Sequence, residues 1–580
     1  MVDKKTASFM RSLCLGQIEE EILVPFPEPT VAEKETLRAT IGMLKSMLGA
    51  KEKDFRAWDA KGEMPAPVVQ ELREAGLFGL VIPEAHGGLG FGATAYSRVL
   101  QEVGRYDGSI AVTIGAHSSI GMRGLLLFGT EEQKARFLPK LATGEVIAAF
   151  CLTEAGAGSD AAAIKTTAVR DGDAWVLNGE KLWITNGGIA DFFTVFARTS
   201  LEGRGRITAF IVTRDMKGVS TGQHEEKMGL RASSTTTVSF EDVRVPAANV
   251  LGEVGMGFKI AMRILNAGRT GLGGGSVGGM KKLIALSAAH ASERVQFGKP
   301  IASFGTIRQK IGQMVIDCYA SESVVNLVAG LMDRGFEEYA VEAAISKVFA
   351  SEALWRTVDE ALQIAGGAGY MRELPYERAM RDARINRIFE GTNEILRLFI
   401  ALTAMNDVAE ELKDLAHSMR GVFADPIKGF GLLSDYAMRR ASLATGIRRQ
   451  KGAWTLLSPL LAEEAAIFEH ATRELALAAD RTLRRYGKSI IDEQLATRRL
   501  ADALVDLFAL AAVLARVSTR IEDHGEAAAA QEREIARAFA RQARRRIDAS
   551  ISGLDHNEDA SVEALAKHVL DQGGYPWDNV

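Results

Sequence analysis

The sequence predicts a mainly α protein with one β-domain set into its middle. Three observations carry that expectation. Apolar residues recur at alternating spacings of three and four before residue 146 and again after residue 255, as on one face of a helix. Between about 147 and 252 the pattern changes to short runs of β-branched and aromatic residues separated by turn signals. The chain has 580 residues, 47 % apolar and 25 % charged, the mix of a globular protein with several packed domains.

Taken in order, residues 1–30 are expected to form an N-terminal extension. Met1-Val2-Asp3-Lys4-Lys5 leads into no long apolar core and no small-residue cleavage site, so no targeting segment is read there and a cytoplasmic location is expected. Residues 31–146 are expected to form a helical domain. Leu37, Ile41, Leu44 and Leu48 make one stripe, and clusters such as Gly87-Gly88-Leu89-Gly90 punctuate the segment. Residues 147–254 are expected to form the middle β-domain. Ala174-Trp175-Val176-Leu177 and Lys181-Leu182-Trp183-Ile184-Thr185 are expected as two strands turning at Asn178-Gly179, a pair that tolerates φ > 0. Strands over 192–197, 207–213 and 236–245 should follow. Residues 255–402 return to helical spacing. Residues 403–580 form an additional helical domain, where Phe468, Ala471, Leu475, Ala479, Leu483 and Tyr486 make another stripe, after a linker marked by Pro426, Gly429 and Gly431.

Composition narrows the function. Seventy basic against 74 acidic residues leave a net charge of −4, so no basic field argues for nucleic acid. Cys14, Cys151 and Cys318 lie far apart, which fits a reducing compartment and neither a disulfide scaffold nor a zinc site. The apolar run 507–515 is too short to cross about 30 Å of hydrocarbon, so a soluble or peripheral protein is expected. No His-x-x-x-His pair occurs, and no metal site is expected. Gly273-Gly274-Gly275-Ser276-Val277-Gly278 fits the dinucleotide pattern Gly-x-Gly-x-x-Gly, but a helical segment precedes it where that fingerprint needs a strand. Close helix packing is the expected role.

Three other segments stand out. Phe150-Cys151-Leu152-Thr153-Glu154-Ala155-Gly156-Ala157-Gly158-Ser159-Asp160 is a glycine-rich run with hydroxyls; by itself it reads as a polar turn. Lys181 to Gly188 is a strand ending in a turn, and Trp183 by itself reads as core. In Arg387-Ile388-Phe389-Glu390-Gly391-Thr392-Asn393-Glu394, Gly391 would end one helix and Thr392 or Asn393 cap the next, leaving Glu390 an ordinary carboxylate at the break. In this order and spacing, together with Met228-Gly229-Leu230-Arg231-Ala232-Ser233, Ser292 to Lys299 and Gln363 to Tyr370, they resemble the acyl-CoA dehydrogenase family. The likeness runs from about residue 8 to 575. It is strongest to the very-long-chain branch, which carries an extra helical domain.

The resemblance implies a helical domain, a β-barrel-like domain and a helical bundle, with FAD and a fatty acyl thioester between them. It implies α,β-dehydrogenation of a long or very-long-chain acyl-CoA to the trans-2-enoyl-CoA, the first step of β-oxidation, with electron-transfer flavoprotein as acceptor. Glu390 would take the α-proton while flavin N5 takes the β-hydrogen as hydride, and the Glu390 N–H would help hold the thioester oxygen. Phe150, Leu152, Thr153, Gly158 and Ser159 would cradle the flavin, with Ser159 also near the CoA. Trp183, Ile184 and Thr185 would flank the isoalloxazine. Thr392 and Glu394 would meet the adenosine half. Arg294, Gln296 and Phe297, with Gln363, Ile364, Gly366 and Gly367, would grip the FAD diphosphate across a subunit interface, which implies a homodimer or larger homo-oligomer. Arg294 also has a plain reading as a helix-surface cation. Asn266, Arg269 and Gly391 would contact substrate. Many members have Asp at the position of Asn266, and many shorter-chain members have Gln where this chain has Gly305; the very-long-chain branch shares the glycine.

Two features carry paired readings. Ala111 and Gly115, four apart and small, either leave room for a long acyl tail or let helices pack tightly. Residues 436–452 hold Arg439, Arg440, Arg448, Arg449 and Lys451 without an acid. They are either a solvated loop or a peripheral contact with the inner face of a membrane, the role this region has in the related branch. The same resemblance leaves two alternatives to the dehydrogenase: a respiratory-complex assembly or scaffold protein, and an acyl-CoA oxidase.

Overall fold

The computed structural model describes residues 3–200, 206–421, 440, 443 and 453–578. Its residues group into two compact units, one of Met1–Ala7 with Pro25–Leu396 and one of Ser8–Val24 with Arg397–Val580. The first thirty residues therefore divide between the units. In the second unit the short helix Phe9–Cys14 buries Phe9, Met10, Leu13 and Cys14, with the Phe9 ring 6.4 Å from Phe468 and 6.3 Å from Phe508. Its long helices are Ala462–Tyr486, Gln494–His524 and Ala530–Ser552. The stripe from Phe468 to Leu483 is buried, as its spacing requires.

The first unit opens with the helix Val31–Gly49. Thr30 caps it: its hydroxyl accepts from the Glu33 amide while the Glu33 carboxylate accepts from the Thr30 amide. Leu37, Leu44 and Leu48 face inward. After the helices Ala93–Gly104 and Gly108–Gly115 the chain tightens into one π-helical turn, Ala116–Gly121. Such turns recur at functional sites because they re-aim side chains. Here the turn is tied to the β-domain by the Ala148 amide donating to Nδ1 of the buried His117 (3.0 Å).

The β-domain is one mixed sheet of eight strands: β1 (Ala148–Cys151), β2 (Thr167–Asp171), β3 (Ala174–Thr185), β4 (Phe192–Arg198), β5 (Ile207–Thr213), β6 (Val219–Thr221), β7 (Thr235–Pro246) and β8 (Val250–Leu251). Their order is β6-β7-β3-β2-β4-β5-β8, with β1 parallel on β4. The expected hairpin at Asn178-Gly179 is corrected: β3 runs unbroken from Ala174 to Thr185, and the pair sits at a register shift against β7. Gly179 takes φ +148, and a Cβ there would lie 2.5 Å from the Thr166 hydroxyl, so the position suits glycine on both counts. The Asn178 side chain bridges to Asp242 on the neighbouring strand, donating to its carboxylate (3.0 Å) and accepting from its amide (2.8 Å). Asn-Gly supplies the positive φ of a bulge here rather than that of a turn.

Three long helices, Gly257–Glu293, Gly305–Asp333 and Ala340–Ala365, complete the unit. The glycine run lies inside the first of them. A Cβ at Gly274 would meet the Ser97 carbonyl at 2.8 Å, and one at Gly278 the Gln101 carbonyl at 2.0 Å, so these glycines let the helix lie against Ala93–Gly104 as expected. Gly108–Phe128 and Gly305–Asp333 are long and apolar enough to cross a bilayer by length and composition, but 61 % and 72 % of their windows are buried within the protein.

Candidate active site

Glu390 sits on the turn between the 3-10 turn Ile385–Arg387 and the helix Asn393–Ala404. It takes φ +59 and Gly391 φ +91, two left-handed residues in succession. The first is strained for a residue with a Cβ, and such strain persists only where surrounding contacts hold it. Two buried cations do so. Arg269 Nε donates to the Glu390 carbonyl (3.3 Å), and Arg269 Nη1 donates to Asn266 Oδ1 (2.8 Å). Lys347 Nζ donates to the Gly391 carbonyl and to Asn393 Oδ1, each at 2.7 Å. Asn393 Nδ2 in turn donates to Ser351 and to Glu352 (both 3.0 Å). Thr392 caps the next helix, its hydroxyl accepting from the Ile395 amide (3.3 Å).

Glu390 Oε2 is buried and has no hydrogen-bond partner among the described residues. Gly268 makes room for it, since a Cβ there would lie 2.9 Å from that oxygen. Burial pushes the carboxyl up to about 7, against the pull of Arg269 and Lys347, which favour its charged form. Burial pushes Lys347 down to about 7 in the same pocket, opposed by Glu390. An unbonded carboxylate with a midpoint near neutrality is suited to proton abstraction.

The carboxylate borders a cavity of about 820 Å³ in the first unit. Thr185, Ala111, Gly115 and the π-turn residues Ala116, Ser119 and Ile120 line it. Nothing lies within 4 Å of where a Gly115 Cβ would be, so that missing side chain opens volume. From the long helix, Gly268, Leu272, Gly275 and Gly279 line the cavity, three or four apart, on a different face from the packed Gly274 and Gly278.

On the β-domain, a buried ion pair holds the glycine-rich loop. Lys181 Nζ donates to Glu154 Oε1 (2.7 Å) and to the Leu152 carbonyl (3.1 Å), while the Leu182 amide donates to the Thr153 carbonyl (2.9 Å). A register shift between Lys181 and Ile184 releases Trp183 to φ +55 with its indole 62 % exposed. Next to it, Asn186 Nδ2 donates to the Thr113 carbonyl (3.0 Å) and fixes the strand end that carries Thr185 to the cavity wall. Phe150 is half-buried on β1, Thr153 is half-buried, and Gly158 and Ser159 are exposed. Leu152, Ile184 and Ile364 are core side chains and offer a ligand main-chain atoms only.

The fold therefore brings Glu390, Gly391, Asn266 and Arg269 together, and Glu390 and Thr185 line the cavity with Ala111 and Gly115. The residues expected at the FAD diphosphate and adenosine do not line it. Arg294, Gln296 and Phe297 are exposed, the last at 93 %, around the two-stranded turn Val295–Gln296 and Lys299–Pro300. Gln363, Gly366 and Gly367 are exposed at the end of Ala340–Ala365, and Glu394 faces solvent. Three contributors escaped the sequence reading: Glu154, Lys181 and Lys347. Lys347 had a signal, as the one charged residue in Ala343 to Ser351.

These residues fit a flavin. Nothing lies within 4 Å of a Cβ position at Gly156 or Gly158, which leaves backbone amides open to an anionic ligand, and Trp183 presents an uncovered aromatic face beside them.

Comparison with known proteins decides the family. Residues 35–145, 149–243 and 255–405 match the N-terminal, middle and C-terminal domains of acyl-CoA dehydrogenase, and 459–575 match the ACAD9/ACADV C-terminal domain. The chain belongs to the acyl-CoA dehydrogenase family. Within it, the chain lies on the very-long-chain branch: it is 40 % identical to the mitochondrial very long-chain specific acyl-CoA dehydrogenase of Bos taurus, over 100 % of this chain and 90 % of that protein. An acyl-CoA dehydrogenase from Bacillus anthracis, solved with FAD, superposes with a TM-score of 0.80 at 34 % identity, covering 97 % of this chain and 94 % of that one. Butyryl-CoA dehydrogenase of Megasphaera elsdenii superposes with a TM-score of 0.62 at 37 % identity, over 65 % of this chain and 99 % of its own. That shorter enzyme matches about two thirds of the chain, as expected where an additional helical domain follows the catalytic core.

Proposed function

We propose that this chain is an FAD-dependent acyl-CoA dehydrogenase that oxidises the Cα–Cβ bond of long-chain fatty acyl-CoA to the trans-2-enoyl-CoA in fatty acid β-oxidation. The observation that carries it is Glu390: an unbonded, buried carboxylate at the border of a cavity that Thr185 also lines. Bound FAD supplies the hydride acceptor for the β-hydrogen. The chain's own residues do the rest. Glu390 takes the α-proton in its carboxylate form, which predominates above about pH 7. Arg269 and Lys347 hold the Glu390 and Gly391 carbonyls, so the peptide N–H groups of the turn keep a fixed direction toward a developing enolate oxygen. Asn266 and Arg269 flank the path of the CoA arm. The small residues Ala111, Gly115 and Gly275 leave space for the acyl tail. Each methylene withdrawn from water favours binding by about 0.8 kcal/mol, so a longer cavity favours longer chains.

The Phe150 to Ser159 loop with Trp183 and Thr185 would hold the flavin. Arg294, Gln296 and Phe297, with Gln363 to Gly367, are exposed away from the cavity and suit an FAD diphosphate shared with a second copy, hence a homodimer or larger homo-oligomer. Electron-transfer flavoprotein is the acceptor in this reading. We place the enzyme in the cytoplasm, with residues 436–452 as a peripheral contact to anionic lipid at the inner membrane face; apart from Arg440 and Leu443 that segment lies outside the described residues. Anaerobic mixing of the yellow protein with hexadecanoyl-CoA tests the reaction: bleaching of the flavin band supports it, and an unchanged spectrum removes it.

A further inference from the structure

The cavity beside Glu390 does not end in an apolar floor. On the helix Gly257–Glu293 its lining runs from Gly268, beside the Glu390 carboxylate, through Leu272, Gly275 and Gly279 to Lys282. The 14 steps from 268 to 282, at about 1.5 Å each, span about 21 Å. Along the middle the wall is alkyl, with Leu283, Leu354 and Val358 joining Ala111 and Gly115. The charged groups on its flank are engaged: Arg378 with Asp107 (2.6 Å), and Asp382 by the Leu230 amide (2.6 Å).

At the Lys282 level the lining becomes ionic and exposed. Lys282 pairs with Glu52, and Lys53 and Arg56, next to Glu52 in the chain, line the cavity as do Arg372 and Glu373. Lys53, Arg56 and Arg372 have no ion-pair partner among the described residues. The far mouth therefore carries an excess of positive charge in contact with water. An extended alkyl chain advances about 1.25 Å per carbon, from bonds of about 1.5 Å at about 111°. A chain of about 18 carbons, its Cα at Glu390, puts its last carbon at that mouth.

We infer that the far mouth receives a polar chain end, so that the chain accepts long acyl-CoA thioesters bearing a terminal carboxylate as well as plain alkyl ones. This rests on the dehydrogenase reading above and adds a substrate class to it. A terminal carboxylate on an 18-carbon chain meets Lys53, Arg56 and Arg372 in water-exposed surroundings. On a 12-carbon chain the same group stops near Gly275, among alkyl side chains, where an unpaired charge is strongly disfavoured.

The test is a comparison of kcat/KM, with an artificial electron acceptor, for octadecanoyl-CoA, octadecanedioyl-CoA, dodecanoyl-CoA and dodecanedioyl-CoA. The diacid thioester should fall within about tenfold of its monoacid partner at 18 carbons and at least about 100-fold below it at 12, as the desolvation of an unpaired charge requires. The double variant K53A/R56A should lower the value for octadecanedioyl-CoA about tenfold more than for octadecanoyl-CoA. Equal discrimination against the diacid at both lengths, with octadecanoyl-CoA oxidised normally, overturns the inference and leaves the dehydrogenase reading standing. Failure of all four thioesters to bleach the flavin overturns both.

Discussion

In the proposed reaction residue 390 is the base, and its neighbours set the pH at which it would act. Glu390→Gln keeps the shape of the turn and removes the base, so the variant should stay yellow while flavin reduction by acyl-CoA falls at least about 10²–10⁴-fold in stopped flow. Bleaching at the wild-type rate would take Glu390 out of the role. With a midpoint near 7, the base is increasingly protonated below neutrality, and the rate of flavin reduction should drop about tenfold per unit on the acid side. Lys347 lowers that midpoint, so Lys347→Met should move the acid limb to higher pH, read from the same rate measured between pH 6 and 9. An unmoved limb would show that Lys347 acts on the turn through its hydrogen bonds alone. Stability carries the opposite sign. The native carboxyl keeps its proton to about 7 while an ordinary one loses it near 4.5, so the folded state binds the extra proton between those values. The Glu390 contribution therefore weakens folding as pH rises through that window, and Glu390→Gln should flatten this part of the curve of Tm against pH.

In the proposed reaction the helix Gly257–Glu293 is the element that sets the room for the acyl tail, since it lines the cavity. One face is closed by contact, with Gly274 and Gly278 against backbone carbonyls of Ala93–Gly104, while another lines the cavity, where nothing lies within 4 Å of a Cβ position at Gly275. The sequence marks both as glycine and does not separate them, because a missing side chain reads the same whether a neighbour or a void replaces it. Ala111 and Gly115 had the same ambiguity, and both line the cavity. Gly115→Phe should block the tail. If four methylenes are excluded, about 3 kcal/mol of transfer energy is lost, or roughly 200-fold in kcat/KM for octadecanoyl-CoA, with short chains spared. An unchanged length profile would mean that the tail takes another route. In the β-domain, the Asn178-Gly179 pair became a bulge, since β3 had a continuous partner in β7 and the chain direction was set by that pairing.

At the scale of the whole molecule the chain combines a catalytic unit with a second helical unit that takes up Ser8–Val24 from the far end of the sequence. The exposed Arg294, Gln296 and Phe297 lie off the Glu390 cavity, which is where a shared cofactor site between copies would put them. Arg294→Ala should lose FAD on dialysis, measured as the ratio of flavin to protein absorbance, by severalfold against wild type, since a bidentate phosphate contact is worth about 1.5–3 kcal/mol. Full retention of FAD would assign Arg294 to the protein surface. Native mass spectrometry of the same samples reads the number of copies; a monomer at full FAD content would remove the shared site.

The sequence by itself determined the helix–strand–helix order, the buried stripes and the identity of the residues around Glu390, because periodicity and short motifs are properties of neighbouring positions. The tertiary structure alone decided which glycines pack and which open space, that Lys347 lies beside the Glu390 turn from 43 positions away, that Glu154 and Lys181 pin the glycine-rich loop, and that Phe9 belongs with Phe468 and Phe508. Each of these joins residues distant along the chain. Their meeting depends on how whole elements pack, and no local spacing encodes that.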